Sequence, residues 1–187
     1  MKIAIHQPEH FPYMGFFEKM KLADMFVILD DVQYKKNNWQ NRNKFLNKNG
    51  IEEFFNVQVE KEATKKLINE VNVVEGPWRK KTIKKLQQNF NIDVSDIYSH
   101  NKLIDINMAS IIWPREKMNI NKPMILSSNL SIKSKSTQRL VDICNEMGAT
   151  EYISGMGGKS YLDESLFSCP VSYFKPKCEN YYSVIYN

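Results

Sequence analysis

Lys2-Ile3-Ala4-Ile5 leads into His6-Gln7-Pro8-Glu9-His10-Phe11-Pro12-Tyr13, and the chain then passes through a helix-like run to Met25-Phe26-Val27-Ile28-Leu29-Asp30-Asp31. The first and last pieces are short, continuous apolar runs of the kind found in parallel strands buried on both faces. Between them Pro8 and Pro12 shape a loop. From Gly15 onward Phe16, Met20 and Ala23 recur at helical spacing, with Phe17 widening that face and Lys19, Lys21 and Asp24 opposite. A right-handed crossover through this helix makes the two strands parallel. The expected fold class is therefore α/β, a mostly parallel sheet flanked by helices.

The rest of the chain continues that pattern. Asn47-Lys48-Asn49-Gly50 is turn chemistry ahead of the alternating Phe54-Phe55-Asn56-Val57-Gln58-Val59, so a hairpin is expected there. Residues 60–75 fit either a strand or a short helix plus strand, and Gly76-Pro77 breaks the chain. Trp78–Phe90 reads as a helix with Trp78, Thr82 or Ile83, Leu86 and Phe90 on one side. Arg79, Lys80, Lys81, Lys84 and Lys85 form a basic stripe on the other, for which a solvated face is the plainer account. Residues 93–118 hold one or two helices, stopped by Pro114. A strand is expected over 123–128, a helix over 135–147 ended by Gly148, a strand over 151–154, a helix-like segment over 160–167 and a last strand over 171–174.

At 187 residues one domain is the expectation. With 42% hydrophobic and 12% aromatic residues the chain can bury a core. The formal net charge of +5 favours acidic partners such as phosphates, sugar nucleotides or nucleic acid, against the blander account of a lysine-rich solvated surface. Nucleic acid is the least favoured, because the basic stripe lacks interleaved aromatics. The three cysteines, Cys144, Cys169 and Cys178, contain no CxxC, so neither a disulfide framework nor a zinc site is indicated, and a reducing cytoplasm is the natural compartment. Cys144 falls on an apolar helical stripe and reads as a core thiol. No signal peptide and no membrane-spanning run is read from the sequence.

Two successive strand ends carry polar groups, and ligands of open α/β sheets bind outside the carboxyl ends of strands. At the first, His6 can serve as acid, base or ligand near neutral pH, with Gln7, Glu9 and His10 close in sequence to orient it or touch substrate. The alternative is that these residues only shape a turn. At the second, Asp31 could orient His6 or hold a hydroxyl, although a strand-terminal Asp also makes ordinary turns. Lys35, Asn41 and Arg42 then offer donors suited to phosphate or carboxylate, and Tyr34 and Trp39 offer flat faces on which a base or sugar can stack. Any one of these residues could be structural; the cluster as a whole points to binding. Ser154-Gly155-Met156-Gly157-Gly158 follows a strand and precedes the helix-like segment, a context in which backbone amides bind an anion, though it matches neither the P-loop nor the G-x-G-x-x-G spacing. Ser127-Ser128 ends another strand and could be a further wall. A lone pair of carboxylates, Asp30-Asp31, is not a metal site, and the sequence names no cofactor.

The opening resembles in topology the Rossmann-like nucleotidyltransferases of the HIGH-motif type. The matching helix start is Tyr13-Met14-Gly15-Phe16-Phe17, however, so the second histidine is absent and nucleotidyl transfer becomes the second reading. A closer resemblance lies in Ile5-His6-Gln7-Pro8 with Phe11-Pro12, Gly15-Phe16-Phe17, Ala23-Asp24, Leu29-Asp30-Asp31-Val32-Gln33, Lys35-Lys36 and Trp39-Gln40-Asn41-Arg42-Asn43. With Gly148-Ala149-Thr150-Glu151-Tyr152-Ile153-Ser154-Gly155, Gly158 and Tyr161, these runs look like the two blocks of the WbqC-like protein family.

That resemblance implies a bacterial protein tied to surface polysaccharide, O-antigen or lipopolysaccharide gene clusters and to the making of sugar precursors. It assigns no catalytic residues. Family chains tend to continue past an aromatic-rich segment, whereas this sequence closes at Tyr181-Tyr182-Ser183-Val184-Ile185-Tyr186-Asn187, so a C-terminal element is expected to be short or lacking. Joined to the residue chemistry, the expectation is a transferase moving an acyl or aminoacyl group to a nucleotide-linked sugar, with His6 as base and Asp31 and Lys35 beside it. The competing class is a non-catalytic binding protein for a polysaccharide precursor. The donor and the oligomeric state are left open.

Overall fold

The computed structural model describes residues 1–185; Tyr186 and Asn187, the end of the terminal aromatic run, lie outside the described residues. In chain order the elements are β1 (Lys2–His6), α1 (Met14–Leu22), β2 (Met25–Ile28), β3 (Arg42–Leu46), β4 (Glu52–Asn56), α2 (Trp78–Phe90), α3 (Leu103–Lys117), β5 (Met124–Leu126), α4 (Ser136–Glu146), β6 (Glu151–Gly155) and β7 (Val171–Phe174). They fall into two compact units, and the class is α/β.

The first unit comprises Met1–Gln7, Gly15–Leu29 and Ile120–Glu179. Its five strands form one sheet in the order β5-β2-β1-β6-β7, and every neighbouring pair is parallel. The central strands are apolar without alternation because both faces are covered: Ile3, Ala4, Phe26, Val27 and Ile28 are fully buried. Helix α1 buries Phe16, Phe17 and Met20, as its spacing predicts. Lys19 departs from the expected polar face. It is buried, donating from Nζ to the Ile5 carbonyl at 3.1 Å with its ammonium 5.7 Å from the Phe26 ring centre. The long aliphatic stem packs like a hydrophobe while the charged end finds a carbonyl at the end of β1. Helix α4 buries Leu140, Val141, Ile143 and Cys144. It ends at Gly148, whose φ of +62° lets its N–H reach Asn145 O and that of Ala149 reach Cys144 O.

Two expectations in the chain's second half change. No α-helix follows the glycine loop: residues 156–160 and 164–166 form short 3-10 turns, too brief and too broken by Gly157 and Gly158 for a helical ladder. Nor does Pro114 stop α3, which runs one further turn to Lys117, where Met118 N bonds Pro114 O at 3.0 Å. A proline removes one N–H but leaves its own carbonyl to continue the helix.

The second unit comprises Pro8–Met14, Asp30–Asn119 and Asn180–Asn187. Strands β3 and β4 form the expected antiparallel hairpin, with Arg42 opposite Asn56 and Leu46 opposite Glu52. The turn is fixed by Asn47, whose Oδ1 accepts from the N–H groups of Asn49 and Ile51, while Gly50 takes φ +73°. Residues 60–75 are neither strand nor α-helix; they hold 3-10 turns at Ala63–Lys65 and Ile68–Glu70 and bridge singly through Val59 to Val73 and Asn72 to Lys102. The core joins Phe11, Tyr34, Phe45 and Phe55 to Trp78 and Leu86 of α2 and to Leu103 and Ile106 of α3. No helix among the described residues is long and apolar enough to cross a membrane.

Replacing Asn47 by Ala is expected to lower the unfolding free energy by about 1–2 kcal/mol, since two turn N–H groups lose their acceptor. Lys48→Ala, on an exposed turn position, is expected to change it by less than about 0.5 kcal/mol. Urea midpoints of the two variants check both.

Candidate functional site

In the first unit the strand order reverses at β1. From β1 the chain goes to β2 and then β5 on one side, and later to β6 and β7 on the other. The switch point is therefore between β1 and β6, and the crevice outside the carboxyl ends of two such strands is where open α/β sheets take ligands. The parallel register pairs Ala4 with Ile153, so His6, the last residue of β1, and Gly155, the last of β6, both lie toward the carboxyl edge of the sheet. Ser127, buried, follows β5 on the same sheet's carboxyl edge.

His6 is half-buried, with its ring edge-on to Phe16 at 4.9 Å. Its Nδ1 lies 3.0 Å from the carbonyl oxygen of Gln7. A carbonyl can only accept, so Nδ1 carries the hydrogen and the lone pair is on Nε2. A backbone carbonyl one residue on thus holds the ring through Nδ1. Burial, and after it the charge of Lys19, pushes the imidazole down to about 3, with the Gln7 bond opposing them. His6 is consequently neutral at pH 7. It is a hydrogen-bonding and proton-accepting group whose basicity rises only when a substrate brings negative charge to it.

The glycine loop beside it is not uniform. A Cβ on Gly158 would come within 2.2 Å of Ser154 Oγ and 2.9 Å of Leu162 Cδ1, so this glycine is required by packing. A Cβ on Gly155 or Gly157 would meet nothing within 4 Å, which leaves the backbone open to approach there. Ser154 is buried and bonds Gly155 O at 3.2 Å.

The loop that follows His6 is divided between the units, Gln7 staying with the first and Pro8 onward joining the second. His10 lies in the second unit's core at 0% exposure, its Nε2 2.9 Å from Tyr98 Oη and its ring edge-on to Phe11, Phe55 and Tyr98. Burial lowers it too to about 3, opposed by the Asn107 side chain, which falls short of hydrogen-bond geometry to Nδ1. His10 is thus a packed core group, and Glu9 beside it is half-buried.

Sequence reading missed the amides that hold this loop. Asn43 Nδ2 donates to His10 O and Phe11 O at 3.1 and 2.7 Å. Asn107 Nδ2 donates to Pro8 O and Gln40 O at 3.2 and 2.8 Å, and Ser110 Oγ accepts from Phe11 N. Phe11 is pinned at φ +43°, a strained value for a bulky residue. The available signal was polar Asn107 and Ser110 within the apolar run of α3.

Of the expected binding residues, Tyr34, Asn41 and Arg42 line one cavity of about 390 Å³ in the second unit. Tyr34 is 2% exposed, so its ring is core and offers no stacking face. Trp39 and Lys35 are exposed and do not line that cavity; the Lys35 N–H bonds Gln40 Oε1 at 2.9 Å. Asp31 is half-buried, whereas Asp30 is buried and takes Asn69 Nδ2 at 3.2 Å. No three His, Cys, Asp or Glu side chains among the described residues gather as metal ligands would.

A profile of the WbqC-like protein family matches residues 7–184. The chain is 30% identical over 179 residues to the uncharacterized protein Rv1507c of Mycobacterium tuberculosis, covering 89% of this chain and 77% of that one. No solved structure matches.

Two outcomes are expected. Below pH 6.5 the unfolded chain protonates its histidines while folded His6 and His10 stay neutral until about 3. Stability is therefore full above 6.5 and falls as pH drops toward 3. His10→Phe should remove roughly half of the histidine-linked decline between pH 6.5 and 5, read as denaturant midpoints. Separately, Gly158→Ala should cost about 1–3 kcal/mol and Gly157→Ala little, with Ser154→Ala partly restoring the Gly158→Ala variant in thermal unfolding.

Proposed function

The chain belongs to the WbqC-like protein family, and we propose that it is a transferase of surface polysaccharide or O-antigen precursor biosynthesis, moving an acyl or aminoacyl group to a nucleotide-linked sugar. The observation that supports this reading is that adjacent parallel strands at the switch point end, one in a tautomer-fixed neutral imidazole, the other in an open glycine backbone. His6 Nε2 receives the proton of the attacking hydroxyl or amine, which becomes easier as the reaction develops charge. N–H groups at Gly155 and Gly157 are suited to the oxyanion of an acyl-transfer intermediate. Asp31 and Lys35 are the further catalytic candidates by residue chemistry, and Arg42 is a donor suited to an acidic group.

Nucleotidyl transfer is the second reading, favoured by the parallel β1-α1-β2 opening. It requires ATP or CTP with a divalent cation, and a calorimetric titration in which neither binds would remove it.

The direct test is the purified His6→Gln variant, which keeps a polar planar side chain, assayed on sugar nucleotides with acyl donors. A loss of kcat/KM of about a hundredfold or more is expected for a proton-transferring group. Undiminished activity takes His6 out of the mechanism, and absence of turnover by the wild type with every donor leaves a binding protein.

A further inference from the structure

Helix α2 carries cations without rings among them, but the outer face of the hairpin in the same unit carries both. The register sets Lys44 opposite Phe54 and Arg42 opposite Asn56. Asn43, Phe45 and Phe55 are buried, so alternation along the strands turns those four to the solvent side. Phe54 is 39% exposed, with the Arg42 guanidinium carbon 5.2 Å from its ring centre. Lys44 Nζ lies 5.3 Å from the Tyr182 ring centre and 2.9 Å from Glu52. Each cation is held against a ring, and surface rings beside cations are platforms on which bases stack.

This face runs into a cavity of about 390 Å³, because Arg42 and Asn56 also line it. The groups that a ligand meets there stand in solvent: Lys36 and Lys61, the carboxamides of Asn37, Asn56 and Gln58, and the hydroxyl of Thr64 are on exposed residues. Neither lysine has an ion pair among the described residues, whereas Glu60, the acidic residue of the lining, takes Lys66 Nζ and Asn72 N. The local field therefore favours an anion. Carboxamides both donate and accept, which suits base edges and sugar hydroxyls. Flat rings, anionic linkages and hydroxyl-bearing sugars recur together in RNA, and a stacking surface selects its single strands, since a duplex keeps its base faces covered.

We propose that the outer face of the hairpin and the adjoining cavity bind single-stranded RNA, with a base stacked on Phe54, phosphates on Arg42, Lys36 and Lys61, and a ribose 2′-hydroxyl on the amides. The surface lies wholly within the second unit and does not depend on the transferase reading.

The intact chain is titrated by fluorescence anisotropy with a labelled oligouridylate of about ten nucleotides, at about 50 mM and about 200 mM salt. Binding should weaken with salt. The deoxy strand should bind at least about fivefold more weakly for want of the 2′-hydroxyl. Polyphosphate and dextran sulfate, polyanions without bases, should fall short by at least as much. Phe54→Ala should weaken RNA binding at least about fivefold while leaving the melting temperature nearly unchanged, because the ring is exposed. The double variant Lys36→Ala, Lys61→Ala should weaken it and lower the salt slope by about one to two. Lys84→Ala, on the basic face of α2, should bind within about twofold of the wild type. The proposal is overturned if the oligouridylate does not bind, if the deoxy strand or either base-free polyanion binds as tightly, if Phe54→Ala binds unchanged, or if Lys84→Ala costs as much as the double variant. His6→Gln should bind RNA as the wild type does, so loss of its activity and loss of RNA binding are read separately.

Discussion

Parallel pairing of β1 on both of its edges is the constraint on which the rest of this structure depends. With β2 on one side and β6 on the other, the middle of the strand has no free edge, and Ile3, Ala4 and Ile5 are buried and apolar. Each large apolar side chain placed there contributes on the order of 1.5–3 kcal/mol relative to exposure. The strand can become polar only where the pairing ends, and there stands His6, with Gly155 at the end of the neighbouring β6. The chain then leaves the sheet twice, after Gln7 and after Leu29, and those two excursions, with the terminal residues, make up the second unit.

The two histidines of the opening loop show how little the residue type decides. Both are neutral for the same principal reason, burial, and both sit near 3. One ends a strand at a switch point, its hydrogen committed to Gln7 O and its lone pair on Nε2. The other, four residues later, is closed among Phe11, Phe55 and Tyr98. A similar division runs through the segment after Asp31, where Arg42 and Asn41 line a cavity, Tyr34 borders it as a buried core residue, and Trp39 remains outside its lining.

The burial of so much polarity follows from the loop Pro8–Met14. A loop packed at 0% exposure, as at His10 and Phe11, has backbone carbonyls that water cannot reach. Asn43 spends its side-chain amide on two of these carbonyls, Asn107 spends its own on one of them and on Gln40 O, and Ser110 takes the Phe11 N–H. This accounts for Phe11 holding φ +43°, since the surrounding bonds over-determine its backbone.

Local rules written into the sequence determined the elements: continuous apolar runs for β1 and β2, 3.6-residue spacing for α1, α2 and α4, Asn-Gly turn chemistry for the hairpin, and Gly148 for a helix end. These depend on neighbours within a few positions, which is why they were legible. Pro114 and the segment 160–167 misled because a proline near a helix end still offers its carbonyl, and because glycines shorten a helical turn that side-chain spacing alone suggests. What only the tertiary structure decided was contact across long separations. Asn107 meets Pro8, Ser110 meets Phe11, and Tyr34, Arg42, Glu60 and Val74 come to share one cavity. Whether a polar side chain ends as a core bond, a loop clamp or a cavity wall depends on partners far away in the chain, and no local pattern encodes that distance.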